Sequence, residues 1–335
     1  MTQPTMQDVA RLAGVSSKTV SNVINDRPYV SAETRARVEQ AIAELDYKLN
    51  LAARNLRSGR SGVIGLAVPS LTVAYFAELA EAAIVAAEEH GLVVQIERTG
   101  SLERERALLA SPRLQHIDGL ILNPMDHRSE ELASVELTLP TVVLGDHPVG
   151  GAAVHISTDQ RAVASLATEH LLLTGRRRIA VIGARHGDRH GSAAHRFEGY
   201  RSVIERAGIA YDPALVAEAD PWTQVDGSAA MRELLGRDVA FDAVLAFNDS
   251  LAFGAMRALG DAGRLVPGDV AVIGIDNVAE AAYSMPSLTT VDLGIRRTAE
   301  TAVQLLAAQF AESSPPPQQR LLVEFGLVER ESTAR

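Results

Sequence analysis

From residue 61 onward, short apolar runs alternate with segments of helix length, and this alternation restricts the fold more than any other feature of the chain. Residues 63–68 (VIGLAV) have no polar side chain and end at a proline. That is the pattern of a strand buried on both faces, since a sheet with one wet face shows alternating polar positions. Residues 74–90 then read as a helix stopped at Gly91, 92–96 as a strand, 103–110 as a helix, and 119–122 and 141–144 as strands. The theme restarts after Asp159: helix 161–173, strand 179–182, helices 195–207 and 224–235, strand 243–247, helix 250–259, strand 270–273. Parallel strands need long crossovers, so such spacing predicts doubly wound α/β sheets. Two such modules in tandem predict two lobes with a cleft between them. Ligands of open α/β sheets bind beyond the carboxyl ends of the strands.

Residues 5–25 follow a different rule. Residues 7–13 form a helix with Thr5 or Met6 near its cap, Val9, Ala10 and Ala13 on one face, and Leu12 flanking it. Gly14 sits where a helix stops, because glycine takes positive φ without a Cβ clash. Ser16 offers a capping oxygen to a second helix. Val20, Val23 and Ile24 are its apolar face; Ser17, Lys18, Ser21, Asn22 and Asn25 lie opposite. Two short helices around a glycine turn, the second polar outside, make the helix-turn-helix pattern. Periodicity alone fits a small helical hairpin with a solvated face equally well. Ser31 caps a third helix, 32–45, with Val38, Ala41, Ile42 and Leu45 as its core stripe.

Composition removes several classes. Zero cysteines exclude disulfides, Cys-zinc sites and a cysteine nucleophile. No run of 18 apolar residues is present, and MTQPTMQDV lacks the apolar core of a signal peptide, so a cytoplasmic chain without membrane contact is expected. Net charge is −10, yet residues 1–60 hold nine Lys/Arg against six Asp/Glu, which is +3 and leaves −13 for the rest. A basic head on an acidic body suits phosphate contact at one end. There is no GxGxxG after a strand, GxxxxGK[ST], GxSxG or HExxH, so no catalytic residue or cofactor is expected. His186, Asp188 and His190 lie in a glycine-rich loop, with His195 beyond. They share no helical face, so no metal site is expected either.

The run DVARLAGVSSKTVSNVIN, followed by VSAETRARVEQAIAELDYKLNLAARNL, closely resembles the N-terminus of the lactose-repressor (LacI/GalR) family. The resemblance implies a three-helix DNA-binding head over 1–49 and a hinge helix over 50–60. It implies a two-lobed periplasmic-binding-protein-like core over 61–335, with lobe 1 about 61–160 and 291–320 and lobe 2 about 161–290 and 321–335. The chain crosses back to the first lobe near Val291, helix 295–310 belongs there, and strand 321–325 belongs to the second lobe. The implied function is a sequence-specific transcriptional regulator, a repressor. It binds pseudo-palindromic operator double-stranded DNA as a homodimer, under control of a small polar effector. Without heptad leucines after Phe325, a tetramer-forming coiled coil is not expected. Ser17, Lys18 and Asn22 are base-reading candidates, since Lys suits guanine and Asn adenine. Ser16, Thr19, Ser21 and Asn25 suit phosphates; Tyr29, Asn50 and Arg54 join them as DNA-binding candidates. Leu56 matches the leucine that the family inserts into the minor groove, an apolar wedge that bends DNA. Leu49 stands where the family has proline, so the hinge is expected to cost more to order, and Leu49→Pro to tighten operator binding.

Strand ends supply the effector candidates. Pro69 and Ser70 follow the first strand, with Tyr75 and Phe76 close behind. Asn123, Asp146, Asn248 and Asp276 follow later ones; Ser192 and Arg196 open a helix, and Trp222 is the single tryptophan. By resemblance, Phe76, Arg196, Trp222 and Asp276 match the effector contacts most used in the family, and His190 and Ser192 match contacts of some members. Asp249 reads as a helix cap and Tyr75 as packing. These groups suit a small polar ring: a sugar, with a nucleobase or nucleoside as the alternative. Rival readings are a transport-type sugar-binding protein, which needs a signal peptide and no DNA head, and an α/β enzyme with a helical extension, which turnover of a ligand would revive.

Overall fold

The computed structural model describes residues 4–24, 27–47, 60–124, 139–145, 153–185, 187, 191–311 and 320–334. Asn25, Leu49, Asn50, Arg54, Leu56, Asp146, His186, Asp188 and His190 lie outside the described residues. Residues 1–61 and 62–335 form two compact units.

The first unit holds α1 (Met6–Ala13), α2 (Ser17–Ile24) and α3 (Ala32–Glu44). Thr5 caps α1 in a capping box with Asp8, and Gly14 ends it at φ 66°. Ser16 Oγ accepts from Thr19 N–H at 3.1 Å, and Ser31 caps α3. Val9, Val20 and Val38, one from each helix, are fully buried against one another.

The second unit carries two six-stranded sheets. Its strands are β1 (Val63–Val68), β2 (Val93–Arg98), β3 (Gly119–Leu122), β4 (Thr141–Leu144), β5 (Val154–Ser157), β6 (Ile179–Ala184), β7 (Val216–Glu218), β8 (Ala243–Ala246), β9 (Ala271–Asp276), β10 (Thr289–Asp292), β11 (Arg320–Leu322) and β12 (Gly326–Val328). The first sheet runs β11-β5-β4-β3-β1-β2 and is parallel throughout. The second runs β12-β10-β9-β8-β6-β7 and is parallel except for the β10–β12 pair. β3, β4, β6, β8 and β9 are buried at every position, as a sheet covered on both faces requires.

Helix α4 (Ala74–Glu89) packs with α10 (Ile295–Ala311) on the first sheet, and α5 (Leu102–Leu109) lies on a separate apolar cluster of that lobe. On the second sheet, α6 (Gln160–Leu173) pairs with α7 (Ser192–Arg206), and α8 (Gln224–Gly236) with α9 (Asp249–Asp261). Both pairs depend on glycine. A Cβ on Gly199 would lie 2.2 Å from the Arg161 carbonyl oxygen, and one on Gly254 would lie 2.0 Å from that of Gln224.

The lobe assignment differs at the C-terminal end. The strand expected at 321–325 in the second lobe joins the first instead: β11 (Arg320–Leu322) pairs with β5 in the first sheet, and only β12, beyond the expected range, pairs with β10 in the second. Val291 stays inside β10, and the chain crosses at Leu293–Gly294. The short strands β5, β7 and β10 carry Ser, His, Glu, Thr and Asp among their few positions, so hydropathy does not mark them.

Candidate functional site

The head presents one polar surface. Lys18 is exposed at the start of α2; Ser17, Ser21 and Asn22 are half-buried along it; Tyr29 stands 71% exposed in the following turn. Tyr29 Oη reaches Asn22 Oδ1 at 3.5 Å, a long contact that puts the two on one patch. Ser16 and Thr19 hydroxyls pair with each other at 2.9 Å, so both also serve the helix start.

A cavity of about 240 Å³ opens between the two lobes of the second unit. The first lobe brings Ser70, Tyr75, Phe76 and Asn123; the second brings Ser192, Arg196, Trp222, Asn248 and Asp276. Of the expected effector positions, all within the described residues therefore line one space. These positions follow strand ends because the carboxyl ends of parallel strands leave room for polar side chains beyond the sheet.

Arg196 is 4% exposed. Its Nε donates to Gln160 Oε1 at 2.8 Å and its Nη1 to the Phe247 carbonyl. Asp276 is 5% exposed, and burial raises its pKa well above the ordinary carboxylate range; Arg196 opposes the rise, while Asp249 and Glu78 add to it. The Tyr75 hydroxyl is raised by burial and then by Asp276. It belongs to this charged cluster, not only to packing, and its ring meets Phe76 edge-on at 5.2 Å.

Trp222 departs from the expected open stacking platform. The Arg185 and Arg196 guanidinium carbons lie 4.8 and 5.2 Å from its ring centroid, Phe247 meets it edge-on at 6.0 Å, and its Nε1 donates to the Gly183 carbonyl at 3.0 Å. The indole holds two cations in place. Asn248 is also committed: its Oδ1 caps α9 by accepting from Leu251 N–H, and its Nδ2 donates to the Trp222 carbonyl.

Asn248 thus takes the cap assigned above to Asp249, whose carboxylate does something else. Asp249 is fully buried and accepts from Val278 N–H at 3.0 Å and from the Thr290 hydroxyl at 2.6 Å. It thereby fixes the corner where Asp276 has φ 129° and Asn277 φ 58°, conformations that cost a non-glycine residue about 1–3 kcal/mol. Gly274 makes room, since a Cβ there would lie 2.1 Å from Asp249 Oδ1. Burial pushes the Asp249 carboxyl up to about 6, against its hydrogen bonds. Three residues past Asp276, Ala279 N–H donates to Glu78 Oε1 of α4 at 2.6 Å, a direct tie between the lobes.

Sequence reading missed Gln160, Arg185 and Asp220 in the cavity wall. Arg185 directly follows β6, so the strand-end rule that found Asn248 also marks it; Gln160 opens α6 and Asp220 precedes Pro221 and Trp222.

With this geometry, likeness to known proteins becomes specific. Residues 5–50 match the family model of bacterial regulatory proteins, lacI family, and residues 168–333 match that of a periplasmic binding protein-like domain. The HTH-type transcriptional regulator CelR of Thermobifida fusca is 38% identical over 344 residues, covering 98% of this chain and 98% of that protein. The chain belongs to the lacI family. Among solved structures, a transcriptional regulator CelR–cellobiose complex is 33% identical, covers 98% of this chain and 99% of that one, and gives a TM-score of 0.72. The Lac repressor dimer bound to operator and the anti-inducer ONPF is 29% identical, covers 100% of both chains, and gives a TM-score of 0.82. As a lacI-family member, the chain is a DNA-binding transcriptional regulator whose head is the helix-turn-helix and whose core is the two-lobed α/β unit.

Proposed function

We propose that this lacI-family regulator is a cytoplasmic repressor. It binds a pseudo-palindromic operator as a homodimer and is controlled by a neutral sugar in the cleft between its lobes. Ser17, Lys18 and Asn22 read bases; Ser16, Thr19, Ser21, Asn25, Tyr29, Asn50 and Arg54 contact the backbone; paired Leu56 side chains wedge the centre. The observation that carries the effector reading is the balance of charge in the cavity. Arg185 pairs with Asp220 at 3.2 Å, and Arg196 and Asp276 line the same cavity close enough to act on each other electrostatically. A compensated guanidinium–carboxylate pair offers donors and acceptors together, which suits hydroxyl groups better than a phosphate or carboxylate. Phe76, Ser192, Asn123 and Asn248 complete the wall, and His190 joins by family resemblance alone. That CelR was solved with cellobiose supports the sugar class.

Tyr283 and Met285, 85% and 95% exposed on the second lobe, support a surface covered by a second copy. The Glu78–Ala279 tie gives lobe closure a contact to change. The test is a thermal-shift screen of the full chain against neutral sugars and nucleosides. A ligand at 100 times its Kd stabilises by about 2.7 kcal/mol. A shift with a sugar that Arg196→Ala abolishes is the expected result; a shift with nucleosides alone overturns the sugar reading.

A further inference from the structure

The segment after β12, residues 329–334, is a strap sewn onto the second sheet. Ser332 and Thr333 are buried. The Ser332 hydroxyl accepts from Thr289 N–H at 2.8 Å and donates to the Val272 carbonyl at 2.6 Å, so it links β10 to β9. The Thr333 hydroxyl meets the Thr289 hydroxyl and His170 Nε2, each at 2.8 Å. These bonds anchor the turn Glu331–Thr333 and set where the Arg330 side chain starts. From there its Nη1 donates to the Leu288 carbonyl at 2.7 Å and its Nη2 to Asn277 Oδ1 at 2.8 Å. Asn277 directly follows Asp276, and this is the corner where the two stand at φ 58° and 129°. Such backbone persists only where its surroundings over-determine it. Asp249 takes Val278 N–H, the Thr290 hydroxyl takes Asn277 N–H at 3.3 Å, and Arg330 takes the Asn277 side chain. Burial raises the Asp249 carboxyl, and the Arg330 charge is among the groups that oppose the rise.

We infer that Arg330 is a positioning residue for Asp276: carried on the strap, its guanidinium holds Asn277 and thereby fixes how the Asp276 carboxylate is presented to the cavity. Asp276 lines that cavity and Arg330 does not, so Arg330 acts through its neighbour and touches no effector. The two bonds use both terminal nitrogens of one rigid plane. They tie the corner to Leu288, the residue just before β10, at a spacing that a lysine, with a single ammonium, cannot bridge. The consequence for binding rests on Asp276 serving the cleft as proposed above; the geometry itself is tested without any ligand.

The test is amide hydrogen exchange read by mass spectrometry on the full chain, as wild type, Arg330→Met, Arg330→Lys and Arg176→Met. Arg176 is the matched control: its guanidinium also bridges two acceptors in this lobe, the Asp242 and Pro267 carbonyls, but ahead of β8 and away from the corner. The quantity read is exchange in residues 276–280 relative to α7 of the same sample. Arg330→Met is expected to raise that ratio about tenfold or more, the worth of one charge-assisted hydrogen bond, and Arg330→Lys to raise it less. Arg176→Met is expected to leave it at the wild-type value. If Arg330→Met does not fold, Arg330→Lys carries the comparison with the same sign. A ratio unchanged in the Arg330 variants, or raised equally by Arg176→Met, overturns the positioning role and makes the bridge general support. Titration with cellobiose followed by Trp222 fluorescence is the second arm. Arg330→Met is expected to weaken binding about fivefold or more, because binding must then restore the strained corner; equal affinity overturns the link to the cleft. A wild type silent to cellobiose counts against the sugar reading, and the exchange ratio then upholds or overturns the positioning role by itself.

Discussion

Gly254 and Gly260 lie on the same helix, and their replacement by alanine should move stability in opposite directions. In an open helical position Gly→Ala stabilises by about 0.5–1 kcal/mol, because the unfolded chain loses freedom. At Gly260 the new Cβ meets nothing within 4 Å, so that gain should appear in full. At Gly254 the new Cβ falls 2.0 Å from the Gln224 carbonyl oxygen and 2.6 Å from Ser228 N. Both are backbone atoms of α8, so no rotamer change relieves the clash, and α8 and α9 must part. Overpacking of this kind costs about 1–3 kcal/mol or more, which outweighs the helix gain. The displacement reaches the cavity wall, since Asn248 caps α9 and Trp222 precedes Thr223, the cap of α8. Urea denaturation of wild type, Gly254→Ala and Gly260→Ala, followed by Trp222 fluorescence, should give a lower midpoint for the first variant and a higher one for the second. A Gly254→Ala midpoint at or above wild type would refute the packing argument.

Asp249 gives a pH signature. Its folded pKa of about 6 lies above the unfolded 3.8, so the native state holds the proton more tightly, and the stability it supplies fades as pH rises from about 4 to beyond 6. The advantage of wild type over Asp249→Asn should shrink across that window by up to roughly 3 kcal/mol; an advantage that grows with pH contradicts the assignment. Lys18→Ala should cost about 1–3 kcal/mol in operator binding and relax preference at one base position. Equal loss on every DNA sequence would make Lys18 a phosphate contact. Glu78→Ala removes the acceptor of Ala279 N–H, and should change the size of the effector response in an operator gel-shift titration with and without sugar; an unaltered response excludes that tie from the relay.

The sheets were readable in the sequence where burial on both faces purges polar residues, as in β1, β3, β4, β6, β8 and β9. They were unreadable where strands are short and polar. β5, β7 and β10 sit near sheet margins, and the split of β11 from β12 is a tertiary choice that hydropathy does not encode. The helix starts at Thr5, Ser16 and Ser31 were legible because capping is local chemistry. At the cavity, position along the chain found Arg196 and Asp276 but assigned partners poorly. Asn248 and Asp249 are neighbours with the same capping ability, and only the fold shows that Asp249 turns to the Asp276 corner. Arg185 and Asp220 are far apart in sequence, so nothing local pairs them.

Under the proposed function, occupancy of the cleft controls the head. The direct measurement is operator affinity of the full chain with and without a sugar at saturation, with occupancy confirmed by Trp222 fluorescence. The predicted result is a change in operator Kd of roughly 5–150-fold, a coupling of about 1–3 kcal/mol. A sugar that fills the cavity by fluorescence while operator Kd stays the same would contradict it.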